Sequence, residues 1–277
     1  MIQQPFNFLT GKMGGIRATH FYFPGTAVME RVERLTRILR RICGGEDIEK
    51  VVEQTKQFLV TIEPKDLIQA ERCFFESGYS VSYLEHLCAT HLQLFGTRFS
   101  RVKDQLSPNH ILAKLLAEHE LILCFVADLE DVNYAIHRMK HCSTTSTEFR
   151  KLAHVAGHLA GLDEHKELED EVIFTELQRR DCYGPLAMIK AEHLCLDIST
   201  GRLLELVGMA EGMNFSQFRP QLAQTVDFLV PSMREHIFKE NNIFFPVALE
   251  IIDDAGVWER IRGLCDQMGY CSLHNGL

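Results

Sequence analysis

His165-Lys-Glu-Leu-Glu169 is one of two segments that decide the fold of this sequence, and the other is His236-Ile-Phe-Lys-Glu240. Both continue into apolar and aromatic residues, Ile173-Phe174 and Phe244-Phe245 respectively. In an α-helix, side chains four residues apart share a face and lie about 6 Å apart along the axis. Each segment, if helical, therefore directs an imidazole and a carboxylate at the same point.

A lone histidine precedes each segment, so the arrangement occurs twice. His119 lies 46 residues before His165, and His193 lies 43 residues before His236. All six groups fall on the apolar faces of four consecutive predicted helices, in the order His, His and Glu, His, His and Glu. Packed together, these helices would assemble four imidazoles and two carboxylates inside a bundle, which is a dinuclear metal site.

Each histidine alone is more often a hydrogen-bonded core or surface residue than a metal ligand, and one His-x-x-x-Glu pair can be a surface contact. The joint occurrence argues for a site, because burying these groups without a partner costs several kcal/mol per charged group. A multivalent cation is a partner that all of them can share. Imidazole and carboxylate donors suit iron, manganese or zinc. The predicted ligands are His119, His165, Glu169, His193, His236 and Glu240.

The composition excludes several classes of protein. A net charge of −9, without a stripe of Lys and Arg interleaved with aromatics, argues against nucleic-acid binding. No apolar run approaches the ~18 residues that span a bilayer, and no signal peptide is apparent, so we expect a cytoplasmic protein without membrane partners. The nine cysteines form no C-x-x-C motif, which predicts reduced thiols and argues against a structural zinc or iron–sulfur site.

Helical periodicity dominates after residue 27, and glycine and proline mark the helix ends. We expect Ser107-Pro108 to open the first bundle helix, and a capping box at Thr145 and Glu148 to open the second. An all-α protein is predicted, in which a small helical module precedes the helices that carry the six groups. The predicted units are an irregular arm (1–27), the helical module (28–100), the metal-binding helices (105–252), and a short helix with a tail (253–277).

These motifs resemble the hemerythrin-like (HHE) superfamily over about residues 105–252. The matching stretches are Ala117-Glu118-His119-Glu120, His165–Phe174, Glu192-His193 and His236–Pro246. The resemblance implies an up-down four-helix bundle that encloses a non-haem di-iron centre. It also implies that Glu169 and Glu240 bridge the irons. The four terminal ligands would be His119, His165, His193 and His236.

The N-terminal module is similar to a helical domain of unknown function that is often fused to hemerythrin-like domains in bacteria and archaea. The likeness rests on Phe58–Ile62, Ala70-Glu71, Gly78 and the stretch from Leu87 to Phe95. It implies little about function.

Asp197 marks a departure from the oxygen-carrying hemerythrins, which place a fifth histidine four residues after the one equivalent to His193. The set of four histidines and two glutamates is closer to iron-centre repair proteins and to sensory relatives, which puts reversible oxygen storage in doubt. We expect Asp197 to be an extra ligand or, more commonly, an acceptor behind a ligand imidazole.

His158 lies on the same helix face as His165. It would line an access path, join the hydrogen bonds around the site, or be an ordinary core histidine.

The leading hypothesis is a cytoplasmic di-iron protein that binds, senses or reacts with a small redox molecule: oxygen, peroxide or nitric oxide. The predicted cofactor is two iron ions with an oxo or hydroxo bridge, and manganese or zinc are alternatives. The bridge would give each iron a further ligand and still leave a position open. The output would be iron–sulfur centre repair or redox signalling. A homodimer and enzymatic turnover are both left open.

The alternative hypothesis is an iron-handling or structural metal protein, in which the cation holds the bundle together without redox turnover. An enzyme acting on an organic substrate is disfavoured, because the sequence has no glycine-rich phosphate loop and no nucleophile–base arrangement. Among the carboxylates near the predicted ligands, Glu118, Asp170 and Glu171 are expected on other helix faces and should be dispensable for metal binding.

Overall fold

The computed structural model describes residues 26–63, 66, 69–70, 73, 106–140, 144–180, 182 and 184–268. The regular structure in these ranges is helical and contains no strand, which confirms the predicted all-α class. The predicted arm (1–27) lies almost wholly outside the described residues, as does most of the helical module beyond residue 63. No helix in the described ranges is both long enough and apolar enough to cross a lipid bilayer.

Two helices precede the bundle in the part of the chain that the structure describes: α1 (Thr26–Cys43) and α2 (Ile48–Leu59). The turn between them contains Gly45 with a φ of 89°, a left-handed conformation that glycine adopts at no steric cost. The buried side chains of both helices, Leu39 among them, form an apolar cluster. Ile243 of the bundle packs against this cluster, so the start of the helical module contacts the bundle.

The bundle consists of four long helical segments, which we call rods. Each rod packs on two neighbours, so the four form a closed ring. Short connections join consecutive rods, which run up and down in turn. The second and fourth rods each contain a π-helical turn, called π1 and π2. The rods are, in order: α3 (Ile111–His137); α4 (Thr147–Ala160) with α5 (Asp163–Glu167), π1 (Leu168–Ile173) and α6 (Phe174–Gln178); α7 (Gly184–Met209); and α8 (Phe215–Lys239) with π2 (Glu240–Phe244) and α9 (Phe245–Ile251). A further helix, α10 (Ala255–Met268), packs on π1 and α3.

Helix α3 begins three residues later than predicted. His110, rather than Ser107, caps it, because Nδ1 of His110 accepts a hydrogen bond from the Leu112 amide at 3.2 Å. The His110 ring packs on Trp258 of α10, with 4.6 Å between the ring centroids, and this contact from a distant helix holds the ring in place. Helix α4 is likewise capped one residue later than predicted, by Ser146. The capping residues therefore depend on tertiary contacts as well as on residue type.

Two apolar clusters fill the bundle, one on each side of a polar layer. The first joins the part of α3 beyond His119 to α4, α7 and α8. The second joins the start of α3 to π1, α6, α9 and α10. Along α3, His119 stands between Leu116 of the second cluster and Ile122 of the first. The buried histidines and glutamates thus lie in a layer that apolar side chains seal from both ends of the bundle.

Candidate metal centre

The structure brings together all six side chains that the sequence predicts as ligands. One imidazole comes from each rod, and the two carboxylates come from the starts of the π turns. All six residues are at most 5% exposed. They are His119 (α3), His165 and Glu169 (α5 and π1), His193 (α7), and His236 and Glu240 (α8 and π2).

The two carboxylates lie among the Nε2 atoms of the imidazoles. One oxygen of Glu240, Oε2, lies 3.2 Å from Nε2 of His119. The other, Oε1, lies 3.1 Å from Nε2 of His236 and 3.4 Å from Nε2 of His193. Glu169 Oε2 lies 3.4 Å from the same His193 atom. Each carboxylate therefore reaches imidazoles of more than one rod, as a bridging ligand does.

The donor atoms fall into two overlapping groups, and within each group they lie at most 4.8 Å apart. The first group consists of His119, His165, Glu169 and Glu240. The second consists of His193, His236 and Glu240. Because Glu240 belongs to both, the arrangement can hold two cations that share its carboxylate.

A further set of polar side chains, which we call the acceptor ring, contacts the outer nitrogen, Nδ1, of each imidazole. Its members are Glu118 on His165 (2.6 Å), Asp170 on His193 (3.1 Å), Glu192 on His236 (2.9 Å) and Asn241 on His119 (2.6 Å). Each member is the sequence neighbour of a predicted ligand and reaches the imidazole of the next rod, so the four contacts close a ring. A hydrogen bond donated by Nδ1 directs the Nε2 lone pair inward, which is the orientation that a metal ligand needs.

Helical spacing does not predict the acceptor ring. Glu118 and Asp170 were expected to have no part in the centre because they lie on other helix faces, but each contacts the outer nitrogen of an imidazole on the next rod. Glu171, by contrast, is exposed, as expected. A signal for the ring was present in the sequence. The dipeptide Glu-His occurs at 118–119 and again at 192–193, and acidic or amide residues follow the predicted ligands at 169 and 240. The internal repeat thus includes the neighbours of the ligands.

Both glutamates stand at the start of a π turn, in which hydrogen bonds close a wider ring than in an α-helix. Such turns are rare and occur frequently at functional sites. After them come two buried aromatic residues that stack on imidazoles. Phe174 stacks on His193, with 6.1 Å between centroids, and Phe245 stacks on His119, with 5.4 Å. The aromatic rings close the centre on the side of the second apolar cluster.

Two family models match the chain. Residues 110–248, half of its length, match the hemerythrin HHE cation binding domain. The chain belongs to the hemerythrin HHE family. Residues 35–101 match a family of unknown function, DUF438, so the predicted fusion of such a domain to a hemerythrin-like bundle is confirmed. A comparison with curated proteins gave no significant match.

The buried charged side chains of this hemerythrin HHE domain shift one another's pKa values. Burial lowers the pKa of His193, but the hydrogen bond to Asp170 and the close carboxylates of Glu169 and Glu240 outweigh burial and raise the pKa to about 12. Burial of His236 is likewise outweighed, chiefly by the charge of Glu240, and its pKa rises to about 9. Burial would raise the pKa of Glu240, yet the charge of His236 and the hydrogen bonds from the imidazoles hold it well below its usual value. Protons and metal cations therefore compete for the same imidazole nitrogens.

The residues of the HHE domain fit a pair of metal ions. Both oxygens of Glu169 and Oε2 of Glu240 are buried and have no hydrogen-bond partner of good geometry among the described residues. A buried acceptor left without a partner costs about 1–3 kcal/mol, and native structures rarely keep several in one place. The charges point the same way. The two inner carboxylates and the three carboxylates of the acceptor ring outnumber the buried ammonium of Lys239, which lies 2.6 Å from Glu192 and 2.9 Å from Glu235. The layer therefore attracts cations.

Two other residues predicted near the centre have different surroundings. Asp197 forms an ion pair with Lys166, and the acceptor ring uses Asp170 at this point instead. His158 stacks on Phe125, with 4.4 Å between the ring centroids. Neither Asp197 nor His158 belongs to the two groups of donor atoms found among the described residues.

A small pocket opens onto one side of the centre. It is lined by all three members of the second donor group (His193, His236 and Glu240), together with His165 and mostly apolar side chains. The pocket therefore gives a small molecule access to the second donor group.

Proposed function

We propose that this hemerythrin HHE domain holds two metal ions, chiefly iron, and binds a small redox molecule at one of them. The single observation that carries the proposal is the convergence of four imidazoles on two buried carboxylates, of whose four oxygens three lack a hydrogen-bond partner of good geometry among the described residues. Manganese or zinc would suit the same donors. The proposed ligands are His119, His165, Glu169, His193, His236 and Glu240, with the two glutamates as bridges.

Bound iron would supply two oxidation states and a coordination position that a small molecule can occupy. The chain's own residues would hold and orient the ligands and keep bulk water away from them. The acceptor ring fixes each imidazole, and the apolar clusters seal the layer from both ends of the bundle. The second donor group contains three residues rather than four, and the pocket opens onto it. We infer that dioxygen, peroxide or nitric oxide binds there.

Reversible oxygen carriage is not part of the proposal. Asp197 stands where the oxygen carriers place a fifth histidine, and its carboxylate pairs with Lys166. Sensing or reaction is favoured instead, with redox signalling or iron–sulfur centre repair as the output. The contact of Ile243 with the N-terminal apolar cluster supports signalling, because Ile243 lies in π2, three residues after Glu240. In this proposal residues 105–252 bind the metal and residues 28–100 read its state.

A second candidate function is a structural or iron-handling role without redox turnover. The observation that favours it is that the donor groups draw on all four rods, so bound cations would tie the bundle together. The pocket argues against a purely structural site, because a closed site has no need of an opening.

Metal analysis and ligand titration of the full-length protein test the proposal. We expect about two iron ions per chain, a visible spectrum that changes on adding azide, and reaction of the reduced protein with nitric oxide. Bound iron whose spectrum ignores both azide and nitric oxide would support the structural alternative. Failure to bind metal would overturn the proposal. Repeated oxygenation and deoxygenation without autoxidation would show that the protein carries oxygen reversibly.

A further inference from the structure

Lys166 and Asp197 are the charged residues that line the pocket outside the proposed metal centre. The other described lining residues are apolar, apart from Thr200, whose hydroxyl donates to the Leu196 carbonyl at 2.9 Å. The Lys166–Asp197 ion pair is therefore the polar feature of the route from solvent to the centre.

The ion pair joins two rods beside the centre. Lys166 follows His165 on α5, and Asp197 lies one turn beyond His193 on α7. The Lys166 side chain is 14% exposed, whereas that of Asp197 is 44% exposed. A second carboxylate, that of Asp163, lies 3.1 Å from the ammonium and is 74% exposed. The Lys166 side chain is thus less exposed than the side chains of the two carboxylates that balance its charge.

We propose that Lys166 selects small anions for the metal centre and that Asp197 moderates its charge. This inference rests on the proposed function, since it names the ligand class of the same site. An ammonium beside an apolar passage attracts an entering anion more strongly than one surrounded by water, because the pocket walls screen the charge less. A neutral molecule of the same size gains nothing from the charge. The ligand class is a compact inorganic anion, hydroperoxide or a species like it, and azide is its probe.

A steric role of the ion pair would behave differently. If the pair only obstructed the pocket, shortening or neutralising either side chain would speed the entry of every ligand. If the role is electrostatic, substitutions of Lys166 and of Asp197 should change the azide affinity in opposite directions. Lys166→Met removes the attraction, whereas Asp197→Asn leaves the ammonium less balanced and strengthens it.

The experiment measures azide affinity and the rate of nitric oxide binding for iron-loaded full-length protein, alongside the iron content of each variant. We expect Lys166→Met to weaken azide binding roughly tenfold and Asp197→Asn to strengthen it several-fold. Nitric oxide, being neutral, should bind all variants at rates within roughly twofold of one another. Lys166→Arg keeps the charge and should keep most of the azide affinity.

A second ion pair provides matched controls. Lys151 on α4 and Asp128 on α3 lie 2.6 Å apart on the bundle surface, with side chains 42% and 45% exposed. Lys151→Met and Asp128→Asn make the same changes in net charge away from the pocket. Both should leave azide affinity unchanged, which separates a local effect of Lys166 from a change in total charge.

The possible results distinguish a failure of the role of Lys166 from a failure of the proposed function. Azide affinities of the Lys166 and Asp197 variants equal to those of the controls would overturn the inference alone. Faster entry of both azide and nitric oxide in both variants would replace it with a steric gate. If Lys166→Met fails to load iron, Asp197→Asn still decides, because it must bind azide more tightly than the unchanged protein. Iron-loaded unchanged protein that ignores azide would overturn ligand binding itself.

Discussion

The amide oxygen of Asn241 lies 2.6 Å from Nδ1 of His119, at the place in the repeat where Asp170 contacts His193. The other three members of the acceptor ring are carboxylates, and Asn241 is the neutral one. A carboxylate behind an imidazole makes it a stronger metal donor than an amide does. The two halves of the centre are therefore chemically unequal, although the backbone repeats.

Asn241→Ala is expected to weaken metal binding by roughly 10–100-fold, because the His119 ring loses the contact that fixes its orientation. Competition with a chelator of known affinity measures the change. Asn242→Ala is the matched control, since the Asn242 side chain donates to the Phe238 carbonyl instead. Equal effects of the two substitutions would show that the acceptor ring does not orient the ligands.

Glu240→Ala is expected to lose most of the bound metal, because this carboxylate belongs to both donor groups. Glu169→Ala should do the same, while the exposed Glu171→Ala should retain the metal. Glu118→Ala is now expected to weaken binding as well, since its carboxylate lies 2.6 Å from Nδ1 of His165. Metal analysis of the purified variants gives the stoichiometry. Two ions retained by Glu240→Ala would exclude it as a bridge.

Metal-free protein is expected to lose stability as the pH rises above about 6.5, the usual pKa of histidine. The folded protein keeps protons on His236 up to about pH 9 and on His193 up to about pH 12, whereas the unfolded chain has released them. The stabilisation is thus complete below the unfolded pKa and declines as pH rises through the folded values. The lowered pKa of Glu240 acts in the opposite sense, with stabilisation lost in acid below about 4.5.

Thermal unfolding of the metal-free and iron-loaded proteins between pH ~7 and ~9 measures this dependence. The unfolding midpoint of the metal-free protein should fall across this range. That of the iron-loaded protein should change less, because its imidazoles bind metal instead of protons. Loading with iron near neutral pH should also release protons into unbuffered solution. A metal-free midpoint that rises with pH would contradict the proton-holding role of the imidazoles.

A chain that begins at residue 105 is expected to bind as much metal as the full-length protein, since all six proposed ligands lie within residues 105–252. Its unfolding midpoint should be lower, because removal of the N-terminal cluster exposes Ile243. Metal analysis and thermal unfolding of both forms provide the comparison. A folded, soluble truncation without metal would count against the proposed division into units.

The six inner side chains were predictable because their grouping needs only the periodicity of a helix and the repeat of one pattern. His165 and Glu169 share a face whatever the neighbouring rods do. Helical periodicity also predicted the all-α class, whereas the family rested on the resemblance of the motifs around these residues. Helical periodicity depends on residues within a few turns of each other, which sequence spacing describes well.

The surroundings of the centre were not predictable in the same way, because they depend on how each rod is rotated against its neighbours. Asp197 lies one turn from His193, but its partner is Lys166 of another rod, and no spacing within α7 reveals that. Glu118 is the neighbour of a ligand and faces a different imidazole 47 residues away. The π turns at Glu169 and Glu240 also have no simple sequence signature, and they alter the phase of the residues that follow.

The first two rods form one helical hairpin, and the last two form another. The contacts of the acceptor ring alternate between those inside one hairpin and those between the two hairpins. Glu118 and Glu192 each contact an imidazole of their own hairpin, whereas Asp170 and Asn241 contact one of the other. Two identical hairpins related by a twofold axis would satisfy the same four contacts. The domain therefore has the pseudosymmetry of a dimer within a single chain. Because neither half can complete the ring alone, metal loading is expected to strengthen the docking of the two hairpins.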